Sequence, residues 1–67
     1  MAAFRCDFLD ISGDVAFDLV ITTKDVAIAT RCAWSIFHAS QKKPIYHLKE
    51  FEIWEGPTRV WPEPVRH

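Results

Sequence analysis

Two stretches near the start of the chain alternate apolar and polar residues with period two, and a short polar segment joins them. Phe4, Cys6 and Phe8 share one face of residues 4–10, with Arg5 and Asp7 on the other. Residues 15–21 repeat the pattern, with Val15, Phe17, Leu19 and Ile21 set against Ala16, Asp18 and Val20. Such alternation marks half-buried strands, because successive side chains leave a strand on opposite sides. Between them, Asp10-Ile11-Ser12-Gly13-Asp14 places an aspartate early and a glycine three residues later, which suits a type I-based turn. A hairpin is expected. Its register follows from the faces, since a slip of one residue sends every side chain to the other side. Pairing Asp10 with Val15 sets Phe8 opposite Phe17, Cys6 opposite Leu19 and Phe4 opposite Ile21. The slipped alternative sets Cys6 against Asp18 and is rejected.

The period then changes. Thr22 or Thr23 is expected to cap a helix whose first turn holds Asp25, where the helix dipole favours an acid. From Lys24 to about Ser40, Ile28, Ala29, Cys32, Ala33, Ile36, Phe37 and Ala39 recur at helical spacing and form one broad stripe. Trp34 falls off that stripe; it is expected to fold over Phe37 at the stripe's edge, or else to offer a second contact surface. Gln41-Lys42-Lys43-Pro44 ends the helix, with cations at its C-terminus and proline barring continuation. Ile45 to Leu48 can be extended. Glu50 to Glu55 is the third expected strand, Gly56-Pro57 turns the chain, and Thr58 to Trp61 returns before Pro62 and Pro64 stop it.

The order is strand, strand, helix, strand, strand: an α+β, two-layer fold with one helix on a small antiparallel sheet. Right-handed crossovers place the third strand beside the first, giving the order 2-1-3-4. Residues 1–62 are expected to form a single small domain, with 63–67 as a frayed tail.

In the second hairpin, pairing Glu55 with Thr58 sets Ile53 opposite Val60 on the helix side, together with Phe51. Trp54 then lies opposite Arg59, and Glu52 opposite Trp61, on the uncovered side. Arg59 over Trp54 is an expected cation–π pair. Aromatic residues beside an arginine are the types that dominate binding surfaces. Trp54, Arg59 and Trp61, with Glu52 at the rim, are therefore the candidate partner-binding residues.

Asp7 and Asp18 fall opposite each other on that same outer face. Like charges in direct register are destabilising, so something must offset them. A divalent cation or a catalytic carboxylate pair is the functional reading, and a solvated ion cluster neutralised by Arg5 and Arg59 is preferred to it. Cys6 and Cys32 both point to the expected core as small hydrophobes. With His38 and His47 they have no zinc spacing. Ser12, Ser35 and Ser40 stand in no arrangement with a base, and Gly13 and Gly56 are turn glycines. No catalytic residue, cofactor or metal site is expected.

A chain of 67 residues buries only about 60% of the surface its unfolded form exposes, so it is marginal without help. Its 49% hydrophobic content is generous for so little interior, which favours burial between subunits. Eight basic and nine acidic residues, interleaved, disfavour nucleic acid; binding through Lys42 and Lys43 ranks third among the functions considered. No apolar run suits a membrane span, and the N-terminus lacks the pattern of a signal peptide. With two cysteines and no C-x-x-C, a soluble cytoplasmic protein with reduced thiols is expected.

Phe8-Leu9-Asp10, Gly13, the helix, and Phe51-Glu52-Ile53-Trp54-Glu55-Gly56 with Arg59-Val60 resemble a group of short uncharacterised bacterial proteins. These share a strand ending in an Asp-x-x-Gly turn and a C-terminal Glu-aliphatic-Trp-x-Gly-x-x-Arg-Val pattern. The chain departs from them in a more apolar helix start, in Trp61 and in its proline-rich tail. The resemblance implies no activity, cofactor or catalytic residue. The expected function is a small non-enzymatic interaction module, homodimeric or docking a protein partner through the open sheet face. The alternative is a small-ligand or divalent-cation binding protein using Asp7 and Asp18.

Overall fold

The structure, a computed structural model, describes residues 1–42 and 47–62. The expected conformation of Ile45, the role of Lys43 and Pro44 at the helix end, and the frayed tail at 63–67 lie outside those residues. Strands β1 (Ala2–Asp10) and β2 (Val15–Thr23) lead into helix α1 (Val26–Gln41), followed by β3 (Leu48–Glu55) and β4 (Thr58–Trp61). The four strands form one antiparallel sheet in the order β2-β1-β3-β4, with the helix on one side. The architecture is the expected one, and the strand order is that given by right-handed crossovers.

The first hairpin keeps its expected apolar face. Phe8 pairs with Phe17, Cys6 with Leu19 and Phe4 with Ile21, and Asp7 does lie opposite Asp18. Its turn-proximal end differs: Leu9, not Asp10, pairs with Val15 across a bulge. The turn accounts for this. Asp10 is held by its own loop, its Oδ1 accepting from the Ser12 and Asp14 amides at 2.8 and 3.1 Å. Its carbonyl accepts from Gly13, whose φ of +87° suits the residue after a type I turn.

The helix starts later than expected. Ladder pairing runs on through Thr22 and Thr23, opposite Ala3 and Ala2, so both threonines belong to β2. Asp25 is the cap instead of a first-turn residue, its Oδ1 accepting from the Ile28 amide at 3.0 Å. Asp25→Ala is expected to lower stability by ~1 kcal/mol, with Asp25→Ser retaining most of it. Urea denaturation followed by circular dichroism measures both.

The buried stripe of α1 is narrower than the sequence suggested. Ala29, Ala33 and Phe37 are buried and Ile36 half-buried, whereas Ile28, Cys32 and Ala39 are exposed. Ala29, Ala33 and Phe37 follow one another at intervals of four, so a single line along the helix is covered by the sheet and the flanking positions are not. Cys32 is thus not a core residue, although Cys6 is fully buried; both thiols are free. The core is completed by Phe4, Phe8, Leu48, Phe51 and Ile53. Gln41 Nε2 donates to the Leu48 carbonyl at 3.0 Å, tying the end of α1 to the start of β3.

Candidate functional site

The side of the sheet away from the helix has no second layer among the described residues, and the ladder sorts its side chains into rows. Register places Val20, Arg5, Trp54 and Arg59 in one row across all four strands. The adjacent row is Asp18, Asp7 and Glu52. A basic and aromatic row therefore lies directly beside an acidic one.

The ion pairs link these rows, one along β1 and one diagonally from β4 to β3. Arg5 Nε lies 3.2 Å from Asp7 Oδ1, and Arg59 Nη1 lies 3.4 Å from Glu52 Oε2. Asp7 sits on the middle strand and is only 8% exposed even on this open face. Its flanking strands crowd it, so its charge needs the arginine beside it. The offset that direct Asp7–Asp18 register demanded is thus supplied by Arg5. Among the described residues, no three His, Cys, Asp or Glu are arranged to hold a metal ion.

Arg5 does more than pair with Asp7. Its guanidinium carbon lies 5.6 Å from the Trp54 ring centroid. The expected cation–π partner was Arg59, Trp54's neighbour on β4; the structure gives the stack to Arg5, its neighbour on β1, and turns Arg59 to Glu52. A carboxylate within reach at 3.4 Å is the stronger attraction for a guanidinium than a ring face it must share. Trp54 is half-buried, and its Nε1 is sealed from solvent with no acceptor among the described residues. Arg5 is the member of this face that sequence reasoning left out of the binding set. The signal was present, since Arg5 and Trp54 become neighbours as soon as β1 and β3 are paired.

Trp61 leaves the set on this face. A bulge in the β3–β4 ladder pairs Ile53 with Trp61 instead of Val60, so Glu52 has no tryptophan opposite it. Trp61 turns to the helix side and stacks on Phe51, with centroids 6.3 Å apart and an interplanar angle of 21°. Val60 remains half-buried against the core, as expected.

This displacement builds a second feature. Trp34 folds over Phe37 at a centroid distance of 5.8 Å, as expected of a residue at the stripe's edge, and also meets Phe51 at 4.9 Å. Trp34, Phe37, Phe51, Trp61 and Pro62 line a groove of about 210 Å³ between α1 and the end of β4. Lys49 and Glu50 both border it, so its charge selects no class of ligand.

One helix on an open four-stranded antiparallel sheet defines a small two-layer α+β protein. No helix among the described residues is long and apolar enough to cross a membrane. Comparison with known proteins finds no matching family model, no matching curated protein and no matching solved structure.

Proposed function

We propose that the chain is a small non-enzymatic interaction module that assembles as a homodimer through the open face of its sheet. The observation that supports this reading is the adjacency of the two rows of opposite charge on an uncovered face. Rows on one face of a sheet are about 7 Å apart, and packed sheets stand about 10 Å apart. A twofold axis running along the rows, midway between them, lays the basic row of each copy over the acidic row of the other. Arg5 then faces Asp7 of the second copy, and Trp54 faces Glu52. Such a contact is isologous, and the strands of the two sheets stay aligned within the usual twist. Trp54, Arg59, Arg5 and Glu52 are its central residues. A cytoplasmic setting belongs to the same reading, supported by two free thiols.

Light scattering at several concentrations tests it. The wild type should show at least twice the chain mass at high concentration, and Trp54→Ala with Arg59→Ala should reduce that mass while circular dichroism stays native. Trp61→Ala is unsuitable for this purpose, because Trp61 packs on Phe51 and its loss weakens the fold itself. A wild type that remains monomeric at every concentration sinks the reading.

A further inference from the structure

The two edges of the sheet are treated very differently. The β4 edge spans only Thr58–Trp61, and Pro57 and Pro62 flank it. Short length and neighbouring prolines are two of the devices that keep an edge strand from pairing with another chain. The β2 edge spans nine residues, Val15–Thr23, and contains no proline, glycine, lysine or arginine. Its only charge is Asp18. The bulge opposite Leu9 is confined to its start, so Asp18 to Thr23 is regular strand. No described residue pairs with the outer edge of that stretch. Val20, at its centre, is 64% exposed, and Leu19 and Ile21 are only half-buried against the core.

We infer that the β2 edge pairs with the β2 edge of a second copy, antiparallel, to make one continuous eight-stranded sheet. The strand's own sequence selects this occupant and its register. Antiparallel pairing of identical strands about a twofold axis requires that axis to be normal to the sheet. Some residue of β2 must then face its own copy. Centring on Asp18 sets carboxylate against carboxylate, which is destabilising. Centring on Val20 sets Val20 against Val20, Leu19 against Ile21, and Asp18 against Thr22 of the other copy. In that register the half-buried Leu19 and Ile21 complete each other's cover on the helix side. Each Asp18 meets a hydroxyl instead of a second acid, and the unpaired amide and carbonyl groups of both edges find partners. Both helices lie on the same side of the joined sheet, and both open faces lie on the other. This contact uses a different surface from the face-to-face assembly described above and does not depend on it.

Disulfide trapping in a Cys32→Ser background tests the register directly. In the pairing centred on Val20, a Val20→Cys residue faces its own copy with Cβ atoms about 5 Å apart. Thr22→Cys and Asp18→Cys residues are each separated from their own copies by four residues along the strand, roughly 14 Å. With oxidised glutathione, the Val20→Cys chain should form a covalent dimer on a non-reducing gel, and the other two should remain single chains. Equal trapping at all three positions, or none at position 20, overturns the register. Thr22→Asp is the second arm. It places acid against Asp18 at two symmetric points and should raise the dissociation constant of the edge contact roughly tenfold. An unchanged constant in that variant overturns the contact. The two assemblies fail separately. Face-to-face packing holds the two Val20 backbones about 10 Å or more apart across the sandwich, offset by the row spacing, which is too far for the trapped product. Trapping at position 20 should also persist in the Trp54→Ala, Arg59→Ala background, where the face-to-face contact is removed.

Discussion

Phe8→Ala is expected to remove about a third or more of the protein's stability at 25 °C. Phe8 is fully buried at the centre of the sheet, opposite Phe17 on β2 and Phe51 on β3. It stacks on Phe17 with centroids 4.6 Å apart and an interplanar angle of 14°, and meets Phe51 at 5.9 Å. Truncating such a ring removes its transfer energy and leaves a cavity whose walls are held by three strands, at a cost of ~3–5 kcal/mol. A chain of this length has roughly 3–10 kcal/mol of stability in total. The loss therefore takes from about a third to all of it. Phe8→Leu, which keeps most of the volume, should still fold with a lowered urea midpoint. Trp34→Ala, on an exposed ring at the groove, should cost clearly less than Phe8→Ala. If Phe8→Ala unfolds at nearly the wild-type urea concentration, the three-phenylalanine row is not the centre of the core.

Stability should also fall steeply at alkaline pH, and Cys6 should be the cause. Burial pushes its thiol from 9.0 up to about 11, and the neighbouring Asp7 carboxylate and the Cys32 thiol push in the same direction. The neutral form is the one the fold holds. Below pH 9 both folded and unfolded chains keep the proton, and the full stability is present. Between about pH 9 and 11 the unfolded chain ionises while the folded one does not, so unfolding becomes progressively easier. A rise of that size corresponds to roughly 2–3 kcal/mol lost across the window. Urea midpoints at pH 7.5, 9, 10 and 11, under reducing conditions, measure this. Cys6→Ala should start lower, because of the small cavity, but should decline less steeply over the same range. Parallel curves for the two proteins would remove Cys6 from the explanation.

Much of the fold was legible because its strongest signals are local and periodic. Period two in residues 4–10 and 15–21 assigns Phe4, Cys6, Phe8, Leu19 and Ile21 to one face. A wrong register would have put Asp18 among them. The helix announced itself by a change of period, but its boundaries did not. Thr22 and Thr23 are good caps in isolation, and the strand kept them because β1 extends to Ala2 and offers them partners. Cys32 shows the same limit. Helical spacing says which residues are near the stripe, whereas its width depends on how the sheet is set against the helix, and only the line Ala29, Ala33 and Phe37 is buried.

The candidate surface was legible in part. Trp54, Glu52 and Arg59 do lie on the open face, and Asp7 does face Asp18. One-for-one pairing along β4 places Trp61 on that face, and a single bulge between Trp54 and Ile53 reverses it. Nothing in Thr58-Arg59-Val60-Trp61 marks that extra residue. The bulge brings Trp61 to the helix side, where it stacks on the Phe51 ring.

The sequence by itself determined the elements, their order, the apolar face of each strand and the acid pair at Asp7 and Asp18. These follow from side-chain periodicity and turn chemistry, which act between residues close in the chain. Only the tertiary structure decided which arginine stacks on Trp54, which acid each arginine neutralises and where Trp61 points. Those outcomes depend on which strands become neighbours and on where a ladder slips by one residue. Both are settled by competition among distant groups for the same partner, and no local pattern records that competition.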